Sequence, residues 1–212
     1  MITKMSFEGI PFIGAYGFCT DSVTLIRPYV RKKDEIKKVL QTPVVETTIG
    51  KSALLGVFVT GNSACVVLPY FAEDAELETI AHTEVAVYPE KHTALGNLVL
   101  ANDKGCIISP VLDDTFFRDA LGTEVVKACL GEFVTVGSVG VVTNRAGVLH
   151  PSLSEEDVEF VEELLRVPCD TATANRGVGY IRLCLLANSH GAIAGQSTTG
   201  PELVRIEDIL EG

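Results

Sequence analysis

The sequence predicts a mixed α/β fold: a closed, fivefold pseudosymmetric α/β propeller built from five β-β-α-β units. Three observations predict it. The pairs Ile13-Gly14, Leu55-Gly56, Leu95-Gly96 and Val136-Gly137 place glycines 42, 40 and 41 residues apart. A proline follows each pair at nearly constant distance, at Pro28, Pro69, Pro110 and Pro151. Between them stand turn-forming words: Asn62, then Asn102-Asp103-Lys104-Gly105, then Asn144-Arg145-Ala146-Gly147, with a worn fifth copy at Asn188-Ser189-His190-Gly191. A period of roughly 40 to 45 residues marks one supersecondary unit used repeatedly.

The third copy shows the unit most clearly. Residues 97–101 form an apolar strand, and Asn102 to Gly105 supply a tight turn, because Asn and Gly tolerate left-handed backbone and Asp bonds its own backbone. Cys106 to Ser109 return as a second strand, which Pro110 ends by lacking an amide donor. Phe117, Ala120 and Leu121 give residues 113–121 the apolar face of a short helix. Residues 123–128 make a third strand. Helices recur at Ile36, Val39 and Leu40, at Leu77, Ile80 and Ala81, and at Leu203, Ile206 and Leu210 after Pro201. Ser154 and Asp157 are spaced as a capping box for a fourth helix, whose Val158, Val161 and Leu165 face inward and whose acidic run faces water.

Residues 57–59 and 183–186 read as strands apolar on both faces, packed between helices and an interior. The recurring glycines mark either close approach of backbones near an axis or plain tight turns. The units fall at about 8–49, 50–90, 91–131, 132–174 and 175–212. The fifth has no third strand of its own, so the strand-like residues 1–7 are expected to complete it and close the ring. Such a ring leaves no open sheet edge, which predicts a monomer.

At 212 residues and 47% hydrophobic, the chain can bury one substantial core. No apolar run approaches the ~18 residues of a membrane helix. The first residues lack the apolar segment of a secretory signal, so a cytoplasmic protein is expected. The six cysteines form no Cys-x-x-Cys pair and read as buried thiols of a reducing compartment. Net charge is −11, from 17 basic and 28 acidic residues, which disfavours broad direct binding to nucleic acid and suits a basic protein partner. There is no nucleotide-binding glycine motif, and no cofactor or metal is expected.

Six words in order carry a resemblance: residues 93–97 (Thr-Ala-Leu-Gly-Asn), 102–105 (Asn-Asp-Lys-Gly), 135–138 (Thr-Val-Gly-Ser), 143–151 (Thr-Asn through His-Pro), 173–177 (Thr-Ala-Asn-Arg-Gly) and 198–203 (Thr-Thr-Gly-Pro-Glu-Leu). With them the whole chain resembles the archaeal translation initiation factor 6 family and its eukaryotic counterparts. The resemblance implies the pentein fold. It also implies binding to the large ribosomal subunit, steric block of its association with the small subunit, and a part in translation initiation and large-subunit maturation. The implied contacts are the ribosomal protein uL14 and its neighbours, near the sarcin-ricin loop. Release is implied to involve a maturation factor and an elongation-factor-like GTPase. The fifth copy departs from the pattern, with Arg182 at the repeat-glycine position and Gln196 at the repeat-proline position.

Two other readings stand beside this one. Penteins include guanidine-modifying enzymes with a Cys nucleophile, for which Cys184 is the candidate thiol and His82, His92, His150 and His190 the candidate bases. A nucleophile needs an adjacent oriented base, and no active-site word of those enzymes is present. A ring-shaped module for another protein target is the second. For ribosome docking, the hairpin loops are the candidates: Asp21, Asn62, Asn102, Asp103, Lys104, Asn144, Arg145, Asn188 and His190. The same Asn and Asp residues are also those that turn geometry alone would select.

Overall fold

The structure, a computed structural model, describes residues 1–80 and 83–211. Ala81 and His82, named above as a helix residue and a candidate base, lie outside the described residues. The chain opens with β1 (Ile2–Met5). Blade 1 then runs through a 3-10 turn (Ile13–Ala15), β2 (Gly17–Cys19), β3 (Thr24–Ile26), α1 (Lys33–Leu40) and β4 (Val44–Glu46). Blade 2 contains α2 (Leu55–Phe58), β5 (Thr60–Gly61), β6 (Cys65–Pro69), α3 (Asp74–Thr79) and β7 (Glu84–Tyr88). Blade 3 contains α4 (Leu95–Leu98), β8 (Val99–Ala101), β9 (Gly105–Ile108), α5 (Asp114–Leu121) and β10 (Glu124–Lys127). Blade 4 contains β11 (Gly140–Val142), β12 (Gly147–Leu149), α6 (Glu155–Leu165) and β13 (Cys169–Thr171). Blade 5 contains α7 (Ile181–Cys184), β14 (Leu185–Asn188), β15 (Gly191–Gly195) and α8 (Gly200–Glu211).

Each blade is a three-stranded sheet with the second hairpin strand at its centre. The hairpin is antiparallel and the third strand adds in parallel after the helix, as in β8-β9-β10, where Leu100 pairs with Ile107 and Val125 with Cys106. In blade 5 the third strand is β1. It pairs in parallel with β15, Ile2 beside Ala192 and Met5 beside Gly195. The N-terminal residues thus complete the last blade, as expected. The five sheets remain separate and open, with no continuous closed sheet. Strands β1, β4, β7, β10 and β13 each have one unpaired outer edge. The expectation of a ring without open edges is corrected here, because the third strand of each blade ends its sheet and the next blade packs through side chains instead.

The core explains why the ring holds. It divides into five hydrophobic clusters, one at each junction between successive blades. Phe18, Leu25 and Val45 of blade 1 pack with Leu55, Val66 and Ile80 of blade 2. Tyr88 and Val67 of blade 2 pack with Phe117, Ile108 and Leu95 of blade 3. Leu100 and Ile107 meet Val136, Leu149 and Val161, and Val141 and Val148 meet Ile181, Leu185 and Ile206. The fifth cluster joins the ends of the chain: Met5, Phe7 and Ile193 of blade 5 with Ile13, Ile36 and Leu40 of blade 1. Helices reinforce this, since α5 packs on β6, α6 on β9, α8 on β12 and α1 on β15, each lying over the centre of the preceding blade.

The repeat glycines are axial. A Cβ on Gly56 would meet the Gly14 carbonyl oxygen at 1.7 Å, one on Gly96 the Gly56 oxygen at 2.1 Å, and one on Gly137 the Gly96 oxygen at 2.3 Å. None of the three has a positive φ, so close approach and not turn geometry demands glycine there. Residues 57–58 and 183–184, read above as strand, belong to the short helical turns α2 and α7 that pack these glycine positions together. Four-residue apolar runs carry no periodicity that separates the two states.

A second device is repeated. Three helices place a carboxylate at their first turn that also holds the loop entering the blade. Glu76 accepts from Gly50 N at 2.7 Å and Lys51 N at 3.0 Å. Asp157 completes the Ser154 capping box and accepts from Gly131 N at 3.0 Å. Glu202 accepts from Thr199 N, Gly177 N and the Thr173 hydroxyl at 2.7, 2.7 and 2.9 Å. Burial alone would raise the Glu202 carboxyl, but these donors hold it down at about 2. The folded-state pKa is depressed, so its contribution is present above the unfolded value and lost as pH falls through the folded one. We expect stability to decline from about pH 5 towards pH 2, and Glu202→Gln to flatten that decline. Thermal melts at stepped pH check this; parallel acid limbs for both proteins would remove Glu202 from the account.

Candidate functional site

Within each blade the first hairpin strand runs away from the glycine turn to the hairpin tip, and the second returns. The closure of the turn onto the strand end is visible in Arg27 N donating to Tyr16 O at 3.0 Å and Ser109 N donating to Leu98 O at 2.8 Å. The ring therefore has two faces, one carrying the hairpin tips and one carrying the glycine turns with the residues that follow the repeat prolines.

The tip face is largely occupied with itself. Asn62, Asn102 and Asn188 are buried. Each accepts two backbone N–H groups at its side-chain oxygen to form the turn, as Asn102 does from Lys104 and Gly105 at 2.9 and 3.1 Å. Each donates its amide to carbonyls of distant segments: Asn62 to Leu121 at 2.9 Å, Asn102 to Thr143 and Leu165 at 3.1 and 2.9 Å, Asn188 to Thr20 and Leu40 at 3.0 and 2.8 Å. Buried amides must be satisfied, and here one side chain satisfies a turn and a blade junction together. These three expected surface residues thus face inward, and their place as exposed contact residues is corrected.

The next turn residue of each blade lies nearer solvent. Asp103 accepts from Ser63 N at 2.7 Å, and Asn144 Oδ1 accepts from Asp103 N at 2.8 Å. Asn144 Nδ2 lies 2.6 Å from Asp103 Oδ2 and 2.7 Å from Asp21 Oδ2, bridging blades 3, 4 and 1 across the axis. Asp21 also accepts from Ser189 N and Oγ, both at 2.7 Å. Burial would raise the Asp21 carboxyl, but the Ser189 and Asn144 bonds hold it below its usual range. Lys104 reaches Arg166 O at 3.1 Å and Arg145 reaches Ser189 O at 3.4 Å. The structure thus brings Asp21, Asp103, Asn144 and Arg145 together around the axial mouth. It leaves Lys104 and His190 exposed beside it. Among the described residues no cluster of His, Cys, Asp and Glu could hold a metal.

The glycine-turn face is different in chemistry. Phe12, Leu54, Ala94 and Tyr180 occupy the same capping position before the turns of blades 1, 2, 3 and 5, with near-equal backbone angles. Phe12, Leu54 and Tyr180 are exposed at 39%, 37% and 42%, and Val134 of blade 4 at 45%. Beyond them, the residues after the first three repeat prolines are Tyr29, Tyr70 and Val111, all exposed, while Ser152 follows the fourth. Tyr29 has φ +68°, which pins its ring outward on a left-handed residue. An apolar annulus contributed by successive blades is the kind of patch that marks a protein-binding surface.

At the junction of blades 4 and 5 this face carries a cluster of three rings packed at steep angles to one another. Phe133 lies 4.9 Å from His150 and 6.0 Å from Tyr180, and His150 lies 5.2 Å from Tyr180. Ser152 N donates to His150 Nδ1 at 3.2 Å, so that nitrogen carries no proton. Burial pushes the imidazole below its usual range, consistent with a neutral ring. His150 thus serves packing and a local bond. Sequence reasoning passed over the annulus. Its signal was positional: Phe12 and Leu54 stand two before a repeat glycine, Tyr180 two before Arg182 at the equivalent position, and Tyr29, Tyr70 and Val111 one after a repeat proline.

A family model described as the eIF-6 family matches residues 2–209. Translation initiation factor 6 of Thermococcus onnurineus is 42% identical over 222 residues, covering 99% of this chain and 97% of that protein. The protein of that name from Methanocaldococcus jannaschii is 40% identical, covering 99% and 98%, and that from Sulfolobus acidocaldarius 37% identical, covering 98% and 97%. Among solved structures, a dimethylarginine dimethylaminohydrolase from Pseudomonas aeruginosa complexed with citrulline matches at 14% identity and TM-score 0.47, over 76% of this chain and 68% of that one.

Proposed function

The chain belongs to the eIF-6 family, and from that membership we propose that it binds the large ribosomal subunit and sterically prevents its association with the small subunit. The family's part in translation initiation and large-subunit maturation follows with it. The observation that carries the reading is the match along the full length of both chains. The exposed apolar annulus on the glycine-turn face supports it, and we place the docking surface there. In the same reading the partners are uL14 and its neighbours near the sarcin-ricin loop. Release falls to a maturation factor and an elongation-factor-like GTPase. An acidic protein of charge −11 suits contacts to basic ribosomal proteins better than to RNA. We place the protein in the cytoplasm with the ribosomes. No described helix is long and apolar enough to cross a membrane.

Co-sedimentation with purified large and small subunits, joined to a subunit-joining assay, tests this. The expected result is pelleting with the large subunit alone and suppressed joining. Tyr29→Asn with Leu54→Ser, which keeps left-handed tolerance at residue 29 and a good cap at 54, weakens binding by about tenfold to a hundredfold, or roughly 1.4 to 2.8 kcal/mol. The exposed Asp103 and Lys104 favour a second reading in which the tips dock. That reading predicts the loss for Asp103→Lys with Lys104→Asp instead, with the annulus variant unaffected. Binding to neither subunit would leave a ring with another target.

Thiol-based guanidine chemistry finds little support in Cys184. The residue is fully buried, and burial pushes its thiol up to about 11. Burial likewise pushes Cys19 and Cys169 up to about 12. A nucleophile needs the thiolate, and none of these is poised to supply it.

A further inference from the structure

Along the axis of the ring lies a cavity of about 50 Å³, walled by the first hairpin strands of the blades. One end is spanned by the Asp21, Asp103 and Asn144 bridge. Arg182 lines the same cavity. Its Nη2 donates to Val59 O at 3.0 Å, and its guanidinium carbon stands 5.6 Å from the centroid of the Phe18 ring. Among the described residues no carboxylate is paired with it. The residue is half-buried, and a guanidinium partly withdrawn from water without a counter-charge is costly. Burial already pushes it down to about 10. The Cys19 thiol beside it donates to Ala187 O at 3.2 Å and is pushed up by burial, so it supplies no counter-charge. The Ser63 hydroxyl, buried and without a partner, lines the same space.

Arg182 is also an exception within the chain. Four blades have glycine at this position, and blade 5 has a charged residue there instead. We propose that the axial cavity binds one small monovalent anion, of the size of chloride, against the Arg182 guanidinium. The unshared N–H groups of the guanidinium are its donors, and Phe18 closes the apolar side. Asp21 and Asp103 are engaged at the far end by Ser189, Asn144 and Ser63, and their charge favours the Arg182 end for the anion. A space of this volume holds roughly three or four waters, which is room for one small anion.

Thermal unfolding in sodium chloride and in sodium gluconate at equal ionic strength tests this. Wild-type protein gains a saturable chloride-specific rise of about 3 °C, following ligand mass action. Arg182→Gly, which restores the repeat residue, and Arg182→Met abolish that rise. Bromide-soaked crystals of the wild-type protein show an anomalous peak at the guanidinium. Equal salt responses in wild type and variants would overturn the proposal. So would an axis without bromide density, which decides the matter even where a variant fails to fold.

Discussion

Gly56→Ala lowers the midpoint of thermal unfolding by roughly 10 °C, equivalent to about 3 kcal/mol or more in a domain of this size. The added methyl has nowhere to go. Its nearest neighbours are the Gly14 oxygen at 1.7 Å, the Gly14 carbonyl carbon at 2.8 Å and the Gly17 oxygen at 2.9 Å, all backbone atoms. Backbone cannot rotate aside as a flexible side chain can, so blade 2 must shift against blade 1. That shift loosens the buried contacts of Phe18, Leu25, Leu55 and Val66 at the same junction. Gly200→Ala is the control. It opens α8, has no positive φ, and its Cβ would meet nothing within 4 Å. Differential scanning of both variants checks the argument. Equal melting of Gly56→Ala and wild type would mean that the axial approach constrains nothing.

Deleting residues 1–7 costs more. The deletion removes β1, with its four-residue ladder to β15, and with it Met5 and Phe7, both fully buried. Truncating a buried Met costs about 2 to 5 kcal/mol and a buried Phe about 3 to 5. Their sum approaches the ~5 to 15 kcal/mol that a whole domain commands. The lost side chains belong to the cluster that joins blade 5 to blade 1, so Ile36, Val39 and Leu40 of α1 lose two members of the cluster they pack in. We expect a chain that is mostly unfolded at 37 °C, and a single denaturant transition with the midpoint reduced by at least half. Because the deletion also bares β15 as a new edge, Phe7→Ala serves as the milder companion. It keeps the ladder and is expected to lose about 3 to 5 kcal/mol. An unchanged midpoint for both would defeat the account of ring closure.

The repeat was legible in sequence because its signals are local. Glycine, turn and proline recur in register, and the helices show their apolar stripes, as at Phe117 and Leu121 or Val161 and Leu165. The closure by β1 was legible because blade 5 lacked a strand. What escaped reading depended on distance or on brevity. The runs at 57–58 and 183–184 are too short for their period to show. Asn62, Asn102 and Asn188 were recognised as turn residues. Their second task, donating to carbonyls roughly 60 residues away or, for Asn188, some 150 to 170 residues away, has no local sign. The Asn144 to Asp21 bond joins residues 123 apart and appears only when blades 4 and 1 face each other over the axis. The annulus escaped because exposed Tyr and Leu read individually as ordinary surface.

The unpaired outer strands give the acidity of the chain a structural meaning. Each blade ends in an edge whose backbone could template another chain. Every one of those five strands carries charge: Lys4 in β1, Glu46 in β4, Glu84 in β7, Glu124 and Lys127 in β10, and Asp170 in β13. Four of the five carry a carboxylate. Most of these charges also sit in ion pairs, Glu46 with Lys33, Glu124 with Arg166 and Asp170 with Arg205, so a second chain must break a pair or strip a hydrated charge before it can zip onto the edge. The exposed sheet edges are guarded by charges that strand pairing would have to bury, and not by hiding the backbone.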